Sequence, residues 1–425
     1  MNRIAALIVV AILGFAACNG VGDQLGKSID EEELFLDKSA VTVPVNGHAQ
    51  LNVTIAHSTV PDRTIRWSTS DPDVAYVNDS GLITGMSAGR TRITASADAT
   101  DITPVSCDVT VTAVPMFTES LTGDISRFAL PSGVSFKMIR TPDIAATSEF
   151  PYGYLERRVR VPDTFVIAET ETTYELWKEV YDWATDPVRG SKKYSFENPG
   201  EKGGYGGSRC VLTDKHPVTS VNWRDAIVWC NALTEYYNAM NGDAEDFNCV
   251  YTYNGSIIRD ARNGNGIACD KAVQNPSSNG FRLPCQWEWE FAARYIGTSV
   301  PSHTHYLLVD GVYYTTGDCA SGASDTTSNY DATHEVAAAL DYHITTTSEV
   351  KSRKPNALGL YDMSGNVWEW CFDLSIFLQD GATHILCGGS FREYDCYDLE
   401  LTRSWEDFTF ISSLIYGFRI TRNGN

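Results

Sequence analysis

The sequence predicts a multidomain protein in which a short export signal precedes an all-β sandwich and then a larger α+β domain. Three observations carry that prediction. An apolar run near the N-terminus ends on Cys18; residues 34–114 alternate apolar and polar positions between turn residues; and from residue 136 short strands mix with helical spacing. The balance of 33 Lys+Arg against 54 Asp+Glu, a formal charge of −21 over 425 residues, argues against general binding to nucleic acid or an anionic bilayer, both of which need a basic face. Apolar residues make up 43% and charged residues 20%, which suits packed cores and not a disordered chain. Eleven cysteines are many for a reducing compartment and point to export.

Arg3 makes the start of the chain positive, and the apolar run IAALIVVAILGFAA at 4–17 suits a signal-peptide core while being too short to span a bilayer. Ala16 and Ala17 stand directly before Cys18, an arrangement that resembles a bacterial lipobox. The resemblance implies that residues 1–17 are a signal peptide and that the Cys18 thiol is acylated. Acyl chains hold a protein on a membrane while its bulk stays in water. Membrane contact is then through the lipid anchor only, at the bacterial outer membrane or cell surface. Residues 18–33 are Gly-rich and then acidic, with little to bury, and read as a flexible tether.

Seven short strands are predicted within 34–114, among them VTVPV at 41–45, TIRWS at 64–68, TRITAS at 91–96 and DVTVTAV at 108–114. Strands of this length and spacing form a sandwich. The run WSTSDPDVAYVNDSGLITG at 67–85 and AGRTRITA at 88–95 resemble the group 2 bacterial Ig-like domain. The resemblance implies an Ig-like spacer with Trp67 as a core plug. Pro115, Pro131 and Gly133 mark residues 115–135 as a linker.

Beyond the linker come HPVTSVNWRDAIVWCNALTEYYNAMNG at 216–242, GFRLPCQWEWEFAARYIG at 280–297, KPNALGLYDMSGNVWEWCFD at 354–373, CGGSF at 387–391 and YGFRI at 416–420. Apolar positions recur at helical spacing in 223–230 and 287–294, which makes both core helices. Arg282 with Glu288 or Glu290 is a candidate buried ion pair. In order and spacing these blocks resemble the formylglycine-generating enzyme, or sulfatase-modifying-factor, family across 136–425. The resemblance implies an α+β domain of C-type-lectin-like fold, with short strands, few helices and long loops.

Asp362 and Glu369 flank the Gly365-Asn366 turn, and carboxylates around loop carbonyls suit calcium. The family resemblance implies a structural calcium held by the side chains of Asp362 and Glu369 and the carbonyls of Gly365 and Val367. Asp stands at 362 where the family carries Asn. Formylglycine generation in that family uses two cysteines after the GGS motif to hold copper, and thiolates suit that soft metal. Here those two places are Glu393 and Asp398, and Cys396 is out of register. The two-cysteine copper site is absent from the sequence, which argues against copper and against catalysis, so no catalytic residue is assigned. A divergent sulfatase-modifying oxidase, or another enzyme on the same scaffold, stays open as the alternative.

The segment without the cysteines has its own composition. Phe391, Tyr394, Tyr397, Trp405, Phe408, Phe410 and Tyr416 are interleaved with Arg392, Asp395, Asp398 and Asp407. Aromatic rings among polar side chains are the mix of binding surfaces, and these residues are the candidate contacts for a protein or glycan ligand. The stretch between GGS and GFR also resembles the variable patch of surface lipoproteins that retroelements diversify on this scaffold. With Cys18 given to lipid, Cys107 in the sandwich and nine cysteines in the larger domain remain. Either Cys107 bridges the two or each domain keeps a free thiol. Cys249 and Cys269 bracket a polar insertion and are a candidate disulfide.

Overall fold

Alternating sequence becomes strand in both halves of the chain, whose structure, a computed structural model, describes residues 32–424 except 46, 58–62, 100–101, 113–117, 123, 144–148, 161–163, 204–211, 276, 340–344, 376–382 and 394–395. The export signal, Cys18 and nearly all of the tether lie outside the described residues. Two units are present, Met1–Val114 and Pro115–Asn425.

In the first unit a four-stranded sheet runs in the order Ala40–Pro44, Val105–Thr112, Gly89–Ala97, Ile65–Thr69. A three-stranded sheet joins His48–Gln50, Leu82–Gly85 and Ala75–Val77, and Glu33–Leu36 pairs with Val53–Ala56. Every second residue turns inward, so Val43, Ile83, Ile93, Cys107, Val109 and Val111 form the core. Trp67 packs against that core but stays half-buried, short of the full plug expected of it. Gly81, at φ 80, lies so close that a Cβ there would meet the Trp67 ring at 2.7 Å. Cys107 is a buried free thiol and bridges nothing.

The second unit starts earlier than the sequence suggests. Thr118–Thr122 and Ile125–Ala129, inside the predicted linker, are strands of an antiparallel five-stranded sheet. The sheet continues through Ser135–Arg140, Phe165–Ala168 and Thr421–Asn423. Pro131 and Gly133 do not break the domain; they turn a hairpin, with Leu130 N–H bonded to Val134 O at 2.8 Å. Ser126 and Phe128 are buried on either side of exposed Arg127, an alternation that the prolines concealed. Thr421–Asn423 pairs with Phe165–Ala168, so it forms one edge of the sheet and Thr118–Thr122 the other.

Two long helices lie in the largest core of this unit. Tyr174–Thr185 is capped by Thr173 and buries Leu176, Trp177, Val180 and Ala184. Trp223–Asn241 begins at an Asn222–Asp225 capping box and is buried on nearly every side over its first turns. Asn231 inside it is fully used: its amide donates to Tyr251 O and Ile258 O and accepts from Val250 and Tyr251 N–H. Trp177 and Trp229 stack at 5.7 Å, and each indole N–H finds a carbonyl. A third helix, Gln286–Arg294, places Trp289 in the second core. The predicted ion pair is Arg282–Glu288, with both guanidinium–carboxylate contacts at 2.7 Å. Cys249 and Cys269 are free thiols directed at different carbonyls, Asn231 O and Asp260 O, which corrects the disulfide expected between them. No helix among the described residues is long and apolar enough to cross a membrane.

Arg419 ties these parts together. Wholly buried, it donates to both oxygens of Glu369 at 2.6 Å and to the carbonyls of Ala168 and Tyr361. Removing one partner of a buried pair leaves a charge stranded, at a cost of about 3–5 kcal/mol. Arg419→Met is expected to lose stability of that order in urea unfolding. Arg419→Met combined with Glu369→Gln should lose clearly less, because Glu369 is then no longer a stranded charge.

Candidate functional site

The site is built on a four-stranded sheet in the order Ser404–Phe408, Thr383–Cys387, Trp368–Leu374, Tyr416–Gly417. One tight turn precedes the central strand Trp368–Leu374, and a second follows its neighbour Thr383–Cys387. In the first, Asp362, Gly365 and Asn366 all adopt positive φ, and a Cβ on Gly365 would sit 2.9 Å from the Ala338 backbone. Asn366 holds the turn by accepting from Ser348 N–H at 2.9 Å and donating to Glu171 Oε2 at 3.2 Å. In the second turn, Gly389 lies against the chain at Asp398, where a Cβ would meet the carbonyl oxygen at 2.6 Å. That close approach explains the glycine of the GGS motif.

Three buried carboxylates, Glu171, Asp362 and Glu369, face one buried guanidinium, Arg419. Glu369 does not present a free oxygen. Arg419 takes both, and Trp289 Nε1 donates to Oε2 at 2.8 Å. This departs from the ligand set expected for calcium. Asp362 Oδ2 accepts from Lys351 N–H at 2.7 Å, while Asp362 Oδ1 and Glu171 Oε1 are buried without a hydrogen-bond partner. Burial pushes the Asp362 carboxyl up to about 6 and Glu171 well above its ordinary range, the latter aided by the nearby Asp362 charge. Among the described residues no three or more His, Cys, Asp or Glu side chains are grouped to hold a metal. A cation here would need backbone oxygens as well as these two carboxylates, a donor set that fits a hard ion.

At the two positions where thiols are needed for copper, Glu393 accepts from Trp368 Nε1 and Ser390 Oγ, both at 2.8 Å. Burial, with the Asp398 carboxyl beside it, raises its pKa. Cys396 instead packs with Ala337, Ala339 and Leu399. Hard carboxyls in place of thiolates do not suit copper.

The rest of the segment sorts into inward and outward residues. Phe391 and Tyr416 are buried, so both leave the set of ligand contacts: their rings face the core. Asp407 accepts from the Tyr416 hydroxyl at 2.9 Å and thereby positions the strand. Tyr397, Trp405, Phe408 and Phe410 are 54%, 55%, 39% and 44% exposed. Phe408 and Phe410 stack at 5.4 Å on the outer edge of the sheet. Arg392 is exposed, Asp398 is half-buried, and Tyr394 and Asp395 lie outside the described residues.

Residues 133–424 match the sulfatase-modifying factor enzyme 1-like domain. The chain belongs to that family. Residues 34–106 match the group 2 bacterial Ig-like domain. Among curated relatives, "Chaperone protein LppX" of Paenibacillus barcinonensis is 29% identical over 232 residues, 52% of this chain and 65% of that protein. The formylglycine-generating enzyme of Streptomyces coelicolor is 33% identical over 133 residues, 28% of this chain and 38% of that protein. The chain thus spans less than two thirds of the length of either. Among solved structures, Treponema denticola variable protein 1 aligns with a TM-score of 0.47 and 24% identity, covering 72% of this chain and 99% of that one.

This member of the sulfatase-modifying factor enzyme 1-like family also brings residues to the site that sequence reasoning missed. The Arg403 guanidinium lies over the rings of both Tyr397 and Tyr154, at 5.7 and 5.5 Å. Beside them a cavity of about 500 Å³ is lined by Gly153, Tyr154, Glu156, Arg158, Glu400 and Thr402, among others. Tyr154 sits in the turn between Glu149–Tyr152 and Arg157–Arg160, far away in sequence, and no local signal marks it. Glu171 was likewise hidden, because only the fold sets it beside Asp362.

The raised Asp362 carboxyl has a measurable consequence. Its folded value of about 6 exceeds the ordinary 3.8, so between those values the folded state holds more protons than the unfolded state. With divalent ions chelated, stability is expected to rise as pH falls from 7 to 5. Asp362 contributes on the order of 1 kcal/mol of that rise. Thermal melts across this range should show a flatter pH dependence for Asp362→Asn; an unchanged slope would contradict the assignment.

Proposed function

We propose that the chain is an exported, lipid-anchored bacterial surface protein. Its sulfatase-modifying-factor-like domain binds a protein or glycan through the outward aromatics of 397–410. The observation that carries this reading is the row of exposed rings, Tyr397, Trp405, Phe408 and Phe410, on and beside an edge strand whose neighbours are buried. Rigid rings presented on a sheet bury large area at little entropic cost on binding. Tyr154 and Arg403 extend the surface to the adjoining cavity. The Ig-like unit serves as the spacer, and the lipobox-like start at Cys18 supports anchoring. A protein ligand is in keeping with the relative whose name is that of a chaperone. Carboxyl groups at Glu393 and Asp398 speak against the family's oxidase chemistry.

Calcium is proposed at the Asp362 turn, held by Asp362 and the carbonyls of Gly365 and Val367, with Glu171 in place of Glu369 as the second carboxylate. A divalent cation there neutralises two buried charges that otherwise demand protons. Calorimetric titration of chelator-treated protein should release or absorb heat with calcium, more strongly at pH 7.5 than at pH 5, because protons compete for Asp362. A flat titration at pH 7.5 would remove the ion from this reading.

The binding surface is tested on protein and glycan arrays. Trp405→Ala with Phe408→Ala is expected to weaken capture at least tenfold, about 1.4 kcal/mol or more, without moving the melting temperature. Phe391→Ala, by contrast, should cost about 3–5 kcal/mol of stability, because its ring is core. Turnover of a Cys-x-Pro-x-Arg peptide with copper and oxygen would overturn the binding reading in favour of an enzyme. A template repeat and reverse transcriptase beside the gene would add diversification of 391–416 to it.

A further inference from the structure

Strands Trp368–Leu374 and Thr383–Cys387 run antiparallel in the same sheet as the candidate binding strand, with Glu369 opposite Cys387 and Trp370 opposite Leu386. Cys371 follows Glu369 by two residues and therefore points to the same face as Cys387. Their sulfur atoms are 3.8 Å apart, and both side chains are wholly buried in the second core, beside Trp289, Met363 and Ile385. Other described thiols meet oxygens instead, Cys107 at Asp108 O, Cys249 at Asn231 O and Cys269 at Asp260 O. Between Trp370 and Leu374 the register shifts, so the backbone around Cys371 is not locked to a regular ladder.

We infer that Cys371 and Cys387 become a cross-strand disulfide when the chain folds in an oxidising compartment. The inference rests on the export reading. Closing the bond needs the sulfurs to approach to about 2.05 Å, a movement of under about 2 Å. The chemistry is thiol–disulfide exchange with a disulfide carrier of that compartment. One cysteine thiolate attacks a carrier sulfur and releases the first carrier thiolate. The second cysteine thiolate attacks the mixed disulfide and releases the second. Two protons leave the cysteines, and two electrons pass to the carrier, which ends as a dithiol. Exchange takes place while the strands are still open, since burial drives the thiol pKa values of both folded cysteines upward and keeps them inert.

The bond would join the strand that holds Glu369 to the strand that pairs with the binding segment, where Leu386 lies opposite Trp405 and Cys387 opposite Ser404. Its effect is to stiffen the platform from which Trp405 and Phe408 project.

The test is a peptide map of the full chain, expressed with its own N-terminus in a bacterial host, fractionated, unfolded in alkylating reagent and digested without reductant. The exported fraction is expected to yield a single species joining the Cys371 and Cys387 peptides, about 2 Da lighter than the sum of the two thiol peptides. Dithiothreitol should lower its melting temperature by several degrees, and the Cys371→Ala, Cys387→Ala protein should lose that sensitivity. Alkylation of both cysteines in exported chain would overturn the inference, as would either one paired elsewhere. Chain found only in the cytosol fails the export reading instead; directing it to the periplasm with a replacement signal then decides the cross-link by the same map.

Discussion

The buried contact between Arg419 and Glu369 is the constraint from which the larger unit is organised. A guanidinium removed from water must have its donors met, and here meeting them joins four chain segments, its own included. Glu369 comes from the central sheet, Ala168 from the five-stranded sheet, Tyr361 from the approach to the Asp362 turn, and Arg419 itself from the C-terminal run. None of these segments can satisfy the guanidinium alone. Trp289 adds the third helix to the same carboxylate. The two cores therefore meet at a polar joint whose cost is repaid only in the assembled fold.

That joint also sets the electrostatics beneath the surface segment. Glu369 is neutralised, whereas Glu171 and Asp362 each keep an oxygen without a partner in a place that water does not reach. Burial of charge without compensation is costly, so such a pair either takes up protons or shares a cation. The positive backbone angles at Asp362, Gly365 and Asn366 show that the turn is held in a specific shape despite its strain.

Above the joint, the aromatic segment divides its rings between support and display. Phe391 and Tyr416 anchor the two ends inside, and the Asp407–Tyr416 hydrogen bond fixes the strand between them. Tyr397, Trp405, Phe408 and Phe410 are thus presented by a chain already ordered by its buried neighbours. Little further ordering is needed for a partner to use them. The carboxyls of Glu393 and Asp398 belong to the same economy of position: Glu393 receives the Trp368 indole and the Ser390 hydroxyl.

The sequence by itself determined the two-domain order, the sandwich, the core helices and the family. Each depends on local periodicity or on contiguous motifs such as GLYDMSGNVWEW, where spacing alone carries the information. It also located the segment 391–416 and the turn at Asp362. Tertiary structure decided which members of those segments face solvent and which are buried. Phe391 and Trp405 have equal claims as aromatics in the sequence, yet one faces the core and the other solvent, since that depends on what the fold places behind the strand. The strands around Arg127 were obscured because Pro131 and Gly133 signal a break equally well for a linker and for a hairpin. Glu171, Tyr154 and the Cys371–Cys387 approach come from chain segments or strand registers that have no signature in the sequence. Their proximity is a property of packing and pairing, which local spacing does not encode.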